Sequence, residues 1–259
     1  MKKHILLVVA ALVLVACKDV DEAAVLNPNR NVTFNFTQNW EGDEITNADY
    51  QTTEYTNAHG ETMTISKLRY LISDIAFTDE NGDSTIIKGY NLVNAREATN
   101  TQYKPAKKIQ EGTYTLSFTF GFEKEDNIDG AYPDLTSADW NVPEDLGGGY
   151  HFMQLEGTFI DNTGTVAPYL YHTIRAANKT DDALELQDTS FEVDLGTVTV
   201  KEGVVYEIKM DVAEWFKNPN EWDLNELNSN LMGNFGAQLK MSENGRTVFS
   251  LGETTIVEE

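Results

Sequence analysis

Tyr114-Thr115-Leu116-Ser117-Phe118-Thr119-Phe120-Gly121-Phe122 is the stretch that decides the fold. Its large apolar side chains occupy every second position, and small or polar residues lie between them. Because successive side chains of a β-strand point to opposite faces, this alternation predicts a strand with one face in a core and the other in water. Working outward, the same period of two recurs in Val32-Thr33-Phe34-Asn35-Phe36 and at residues 204–212.

Turn signals separate the alternating runs, as in Asn81-Gly82-Asp83 and Asn162-Thr163-Gly164. The crossover helices that a parallel sheet needs are missing between the runs. Helical spacing is confined to residues 212–217 and 223–239. The patterns therefore predict an all-β protein, an antiparallel β-sandwich of immunoglobulin-like or jelly-roll-like type, with short helical segments near the C-terminus.

The beginning of the chain predicts a lipoprotein signal. Lys2 and Lys3 precede an apolar run that is too short to span a bilayer and that ends in Leu14-Val15-Ala16-Cys17. This ending resembles the bacterial lipobox, whose cysteine is acylated and becomes the new N-terminus after cleavage. We expect residues 1–16 to be the signal peptide and Cys17 the lipid attachment site. Residues 17–30 would then be an acylated, flexible tether, and residues 31–259 a single domain.

Lys18-Asp19-Val20-Asp21-Glu22 follows the cysteine and indicates where the protein goes. A lysine followed by acidic residues resembles the signal that sends lipoproteins of Bacteroidota to the outer face of the outer membrane. A solvated tether without that signal is the alternative. Two acyl chains anchor a protein stably where one is marginal. We expect a lipid-anchored, surface-exposed protein of the outer membrane.

Composition excludes several classes of function. The formal net charge of −23 makes a nucleic-acid partner untenable, because phosphate contacts need Lys and Arg side chains. A single cysteine rules out an internal disulfide and a thiolate cage for zinc. The sequence has no G-x-S-x-G elbow, H-E-x-x-H motif or glycine-rich phosphate loop before a helix. It therefore predicts a binding protein and not an enzyme.

Several motifs in a fixed order resemble the copper-binding MbnP-like family. They are Val32-Thr33-Phe34-Asn35-Phe36, Lys67-Leu68-Arg69-Tyr70-Leu71-Ile72-Ser73-Asp74-Ile75, Gly112-Thr113-Tyr114-Thr115-Leu116-Ser117-Phe118-Thr119-Phe120-Gly121 with Asn127 after it, Trp140 before Gly149-Tyr150-His151-Phe152-Met153-Gln154-Leu155-Glu156-Gly157, and Tyr171-His172. The resemblance covers roughly residues 31–235. It implies a secreted or lipid-anchored β-sandwich that in some members binds copper. It also implies a dihaem cytochrome of the peroxidase type as an envelope partner.

One feature of that family is not matched here. In some members the copper site includes a histidine and an oxidised tryptophan. No tryptophan of this sequence lies two residues from a histidine, and Trp140 precedes His151 by 11 residues. The resemblance therefore does not carry a modified tryptophan over to this chain.

His151, His172 and Met153 are the candidate copper ligands. His151 and Met153 share one face of a predicted strand, which puts an imidazole beside a thioether, and both are donors that suit copper. A simple hairpin would place His172 opposite Glu156 and about 16 Å from His151, too far to share an ion. A metal site therefore needs a different pairing of the strands. Histidines held by hydrogen bonds at the rim of the sandwich are the alternative.

Two functions remain open at this stage. The first is a cell-envelope lipoprotein that binds or relays copper. The second is a metal-free surface adhesion or ligand-capture lipoprotein on the same fold. His59 is expected to be an exposed turn residue, and residues 125–130 to be either a partial calcium loop or a solvated connection between strands.

Overall fold

The computed structural model describes residues 27–180 and 183–257, so the predicted signal peptide and Cys17 lie outside the described residues. Within these ranges the strands are β1 Asn29–Arg30, β2 Thr33–Trp40, β3 Asp43–Glu44, β4 Tyr55–Thr56, β5 Thr62–Thr78, β6 Ser84–Asn94, β7 Gln102–Tyr103, β8 Ile109–Gln110, β9 Gly112–Phe120, β10 Met153–Ile160, β11 Val166–Thr173, β12 Ala176–Lys179, β13 Leu184–Gln187, β14 Phe191–Val200, β15 Val204–Asp211 and β16 Phe249–Ile256. The helices are α1 Pro133–Ser137, α2 Phe235–Gly245 and the 3-10 helices Glu144–Leu146, Val212–Phe216 and Leu231–Gly233.

Two sheets face each other across the core. One has the order β11-β10-β5-β9-β14, with β4 and β6 also paired to β5, and the other has the order β16-β15-β2-β3, with β7 paired to β2. Aromatic rings meet between the sheets, with centroids 6.3 Å apart for Phe34 and Phe77 and 5.3 Å apart for Phe118 and Phe249. The predicted all-β sandwich with short helices near the C-terminus is confirmed.

The pairing of β2 with β15 departs from the antiparallel prediction, because these two strands run parallel. They are far apart in the sequence, and all seven strands of the other sheet lie between them along the chain. A parallel pair needs a long connection and cannot be closed by a hairpin turn. Here the other sheet supplies that connection, so no crossover helix is required.

β5 is the longest strand and the centre of the larger sheet. On one edge it pairs with β10 through residues 63–70 and then with β9 through residues 72–78. The change of partner occurs at Leu71, whose N–H donates to the carbonyl of Phe152 and whose carbonyl accepts from the N–H of Gly121. Both β9 and β10 are therefore positioned by one continuous strand.

The stretch around Phe118 forms β9 as expected. Leu116, Phe118 and Phe120 are fully buried, and Phe122 follows them beyond the end of the strand. Gly121 makes the turn between them with φ of +81°, where a Cβ would lie 2.4 Å from the ring of Phe152. Only glycine fits at this position, because both the backbone conformation and the space exclude a side chain.

Two boundaries differ from the prediction. Strand pairing begins at Asn29 in β1, which bonds to β8, and not at residue 31. The helix expected over residues 223–239 is instead α2, which begins after Asn234, whose side chain accepts from the N–H of Ala237. Upstream, the carboxylate of Asp223 accepts from the N–H of Asn225 at the start of a turn over residues 224–226 that does not continue as a helix. No helix among the described residues is long and apolar enough to cross a membrane.

We predict that Gly157→Ala strongly destabilises the fold. Gly157 follows a register shift in β10, and a Cβ there would lie 1.9 Å from the carbonyl oxygen of Thr64 and 2.7 Å from the ring of Tyr169. Relieving this overlap requires the strands to separate, so the free energy of unfolding in urea should fall by at least about 2 kcal/mol. Gly233→Ala is the matched control, because its Cβ meets nothing within 4 Å. Equal stability of the two variants would contradict the described packing.

Candidate metal centre

The backbone that leads into β10 sets the position of His151. Gly147, Gly148 and Gly149 all have positive φ, and a Cβ on Gly149 would lie 2.4 Å from the side-chain oxygen of Asn127. That oxygen accepts from the N–H of Tyr150 at 2.8 Å. Asn127, which belongs to the loop of residues 125–130, thus holds the backbone immediately before His151.

The alternation of β10 breaks just before the strand begins. Phe152 and Met153 are both fully buried, so two consecutive side chains face the core. His151 consequently lies on the outer face of the sheet with His172, and not on the face of Met153. The expected pairing of His151 with Met153 on one face is not what the structure shows, and Met153 is part of the hydrophobic core.

The register of the β10–β11 hairpin also differs from the prediction. His172 lies opposite Gln154 and not opposite Glu156, because the turn closes with the N–H of Asp161 donating to the carbonyl of Thr165. The shift brings His172 toward the beginning of β10. The ring centroids of His151 and His172 are 5.3 Å apart, at an interplanar angle of 81°. The separation of about 16 Å expected from a simple hairpin is therefore wrong.

The buried imidazole of His151 has one polar contact on each nitrogen. Its Nδ1 lies 3.0 Å from the carbonyl oxygen of Trp140, and its Nε2 lies 3.2 Å from the thioether sulfur of Met232. A carbonyl only accepts hydrogen bonds, so Nδ1 carries the proton in the neutral ring and Nε2 presents its lone pair. Burial, together with smaller effects of the nearby His172 and Arg69, lowers the pKa of His151 to about 4. The ring is thus neutral at pH 7.

His172 is oriented by a carboxylate. Its Nε2 lies 2.9 Å from Glu156 Oε1, which also accepts from the ammonium of Lys67 at 2.7 Å. The hydrogen bond from His172 and the charge of Lys67 lower the pKa of Glu156 to about 2. Since Glu156 is ionised, Nε2 of His172 is the donor in this contact, and Nδ1 is the nitrogen that remains available to a metal ion.

Met232 reaches the site from the short 3-10 helix Leu231–Gly233. Gln238 of α2, which is almost completely buried, holds this helix against β11. Its amide nitrogen donates to the carbonyls of Leu231 and His172 at 3.0 and 2.8 Å, and its oxygen accepts from the N–H of Ile174 at 2.8 Å. One amide therefore fixes the thioether and the second imidazole relative to each other.

Trp140 forms the inner wall of the site. Its ring centroid is 5.7 Å from that of His151, and the guanidinium of Arg69 lies 4.8 Å from the same indole. Arg69 also donates to the carbonyl of Ala138 at 2.7 Å. The indole nitrogen is buried without a hydrogen-bond partner among the described residues. Trp140 thus contributes its carbonyl to His151 and its ring to the packing.

Of the sequence candidates, the structure brings together His151 and His172 and places Met153 elsewhere, while Cys17 lies outside the described residues. Sequence reasoning missed Met232 as a neighbour of His151. Two imidazoles and a thioether are soft or borderline donors that suit copper and do not suit calcium or magnesium. The residues present therefore fit a copper ion.

Comparison with known proteins agrees with this architecture. The family model of MbnP matches residues 29–233. Among solved structures, MbnP from Methylosinus trichosporium resembles the chain with a TM-score of 0.54 and 13% sequence identity, over 87% of this chain and 99% of that chain. At this identity the likeness shows the fold alone. No curated protein matches the chain.

We predict that acid destabilises the metal-free protein through His151. The unfolded imidazole binds a proton below pH 6.5, whereas the folded one does so only near pH 4, so protons favour the unfolded state between these values. The free energy of unfolding, measured in a chelating buffer, should fall over this range by up to about 3 kcal/mol. His151→Gln should remove this part of the pH dependence. His59→Gln should retain it, since a hydrogen bond to Glu61 raises the pKa of His59.

Proposed function

The chain belongs to the MbnP family, a family linked to copper, and on this premise we propose that it binds one copper ion through His151, His172 and Met232. The observation that carries the proposal is the contact of 3.2 Å between Nε2 of His151 and the sulfur of Met232. With the proton of His151 committed to Trp140, two lone pairs face each other there. A cation between them would turn this contact into an attraction.

Neighbouring residues orient the proposed ligands through hydrogen bonds, as residues next to the ligands do in other metal proteins. The carbonyl of Trp140 selects the tautomer of His151, and the carboxylate of Glu156 orients His172. Lys67 keeps that carboxylate ionised and in place. Each imidazole is thus oriented by a hydrogen bond on one nitrogen before any metal arrives, so little ordering remains to be done on binding.

The donor set favours Cu(I) over harder ions. A thioether is a soft ligand. His151 is 4% exposed, so water molecules and carboxylates compete little with copper for its Nε2. When bound, copper supplies one-electron redox chemistry. The protein holds the ion in a largely dry site and keeps His172, whose side chain is 14% exposed, toward the outside. This arrangement suits storage or relay of copper, with the ion entering and leaving past His172.

We further propose that this activity resides on a lipoprotein of the cell envelope. The support is the sequence Leu14-Val15-Ala16-Cys17 after a short apolar run, followed by Lys18 and acidic residues. The net charge of −23 would keep the protein away from anionic head groups, so a covalent lipid would hold it at the membrane. Surface display on the outer membrane would expose the site to copper outside the cell.

We predict that the purified protein binds one Cu(I) per chain in an anaerobic competition titration against a chromogenic chelator. His151→Ala and Met232→Leu should each weaken binding by about 100-fold or more, since they remove proposed ligands. Glu156→Gln should weaken it by about 10-fold, because His172 loses its orienting partner. Met153→Leu is the matched control, a conservative change of a core methionine that should leave the affinity unchanged.

Two results would contradict the copper proposal. One is an absence of stoichiometric copper binding by the unaltered chain, which would favour a metal-free adhesion or ligand-capture lipoprotein. The other is an affinity that His151→Ala leaves unchanged.

We predict that Cys17→Ser releases the protein from the membrane. Replacing the sulfur removes the atom that would carry the diacylglycerol, so the chain should move from the membrane fraction to the soluble fraction of the cell or medium. Immunoblotting of the fractions measures this, together with metabolic labelling by a fatty acid. Ser250→Ala, a change at an exposed position of β16, is the control for the effect of a substitution as such. Unchanged labelling of Cys17→Ser would refute the lipoprotein assignment.

A further inference from the structure

A second group of metal-ligating side chains lies in the turn that leads into β5. His59 and Glu61 come from the turn between β4 and β5, and Asp223 comes from the segment before α2. One ligand atom from each of the three lies within 4.8 Å of the others. His59 is thus a partner of two carboxylates as well as the exposed turn residue that its sequence context predicts.

The contacts place an imidazole between the two carboxylates. Nδ1 of His59 lies 2.8 Å from Glu61 Oε1, and Nε2 lies 3.6 Å from Asp223 Oδ2. The side chain of His59 is 37% exposed and that of Asp223 is 28% exposed, whereas that of Glu61 is only 6% exposed. The group therefore has a buried floor and an open side toward solvent.

Glu61 is held rigidly by neutral groups. Its Oε2 accepts from the amide of Asn57 at 2.6 Å, and its Oε1 accepts from the N–H of Leu224 at 3.1 Å and the amide of Asn225 at 2.9 Å. Asn57 is itself buried and donates to the carbonyl of Trp222. These amides fix the carboxylate as outer-shell residues fix a metal ligand.

The charge of the cluster is not balanced by a permanent cation. Among the described residues, His59 is the only positive group recorded within ion-pairing distance of Glu61 or Asp223. The carboxylate of Glu221 adds further negative potential at His59. A buried carboxylate is costly unless it is paired or coordinates a metal.

We propose that His59, Glu61 and Asp223 form a second metal site, for a divalent first-row ion of the zinc type. One nitrogen and carboxylate oxygens are ligands that zinc accepts, and three protein ligands leave a fourth position open to water. The mixture excludes calcium, which takes oxygen ligands only. The absence of sulfur separates this site from the thioether site at Met232.

Isothermal titration of the purified protein with Zn(II) alone tests the proposal. The unaltered chain and a His151→Ala/Met232→Leu variant should both bind one Zn(II) with the same affinity at the cluster, because the copper ligands are not involved. His59→Gln and Asp223→Asn should each weaken that binding by about 10-fold or more. Both side chains are partly exposed, so these variants should fold where Glu61→Gln fails, and their thermal unfolding confirms it.

Asp79→Asn is the matched control, since Asp79 caps an acidic hairpin turn that has no histidine. It should leave the zinc affinity unchanged. The proposal is overturned if the chain binds no stoichiometric Zn(II), or if folded His59→Gln and Asp223→Asn bind it as tightly as the unaltered chain. An equal loss in Asp79→Asn would also overturn it, because the binding would then reflect the net charge alone.

Discussion

The continuity of β5 is the constraint on which the rest of the molecule depends. Four other strands pair with it, and two of these, β9 and β10, share one of its edges in succession. If the pairing shifted by one residue, every side chain of the strand would change face. The outer face of β5 also presents Lys67 to Glu156 and Arg69 to Trp140. The strand that organises the sheet thereby also organises the surroundings of both imidazoles.

The proposed copper site depends on an irregularity and not on the regular ladder. A strand that kept strict alternation would turn His151 away from His172, because Met153 faces the core. The break at Phe152 and Met153 reverses this, and it is stabilised by the positive φ of three consecutive glycines and by the side chain of Asn127. Irregular backbone with satisfied hydrogen bonds is a common way to aim a functional side chain. The cost in regular pairing is offset by the core contacts of Phe152.

The sequence carries enough information for the fold but not for the geometry of the site. Alternation identifies β2, β5, β9 and β15 because half-buried strands require it. It cannot locate the break before Met153, since the glycines that cause it also read as an ordinary loop. The register of β10 with β11 depends on how the turn after Asp161 closes, and an error of two residues was enough to separate His172 from His151.

Met232 was outside the reach of local patterns for a different reason. Its thioether meets His151 across 81 residues, and tertiary contacts such as those of Gln238 with Leu231 and His172 define that approach. The spacing of residues 223–239 predicts one helix, but Asn234 caps α2, so the helix begins only after this residue. The preceding residues therefore lie outside α2. Asn234, a residue type typical of a helix cap inside a helical pattern, is the one local signal that could have shown that Met232 lies before the helix.

The segment between Asp223 and α2 connects the two proposed metal sites. Asp223 at its beginning contacts His59, and Met232 near its end contacts His151. Trp222, immediately before Asp223, packs against Tyr171 with the ring centroids 4.7 Å apart. Asn228 bonds to β11, with its carbonyl accepting from the N–H of Leu170. Because the segment is anchored at its middle, each end can hold its ligand without moving the other end. The two proposed sites therefore share one segment of the chain, and each should bind its ion independently of the other.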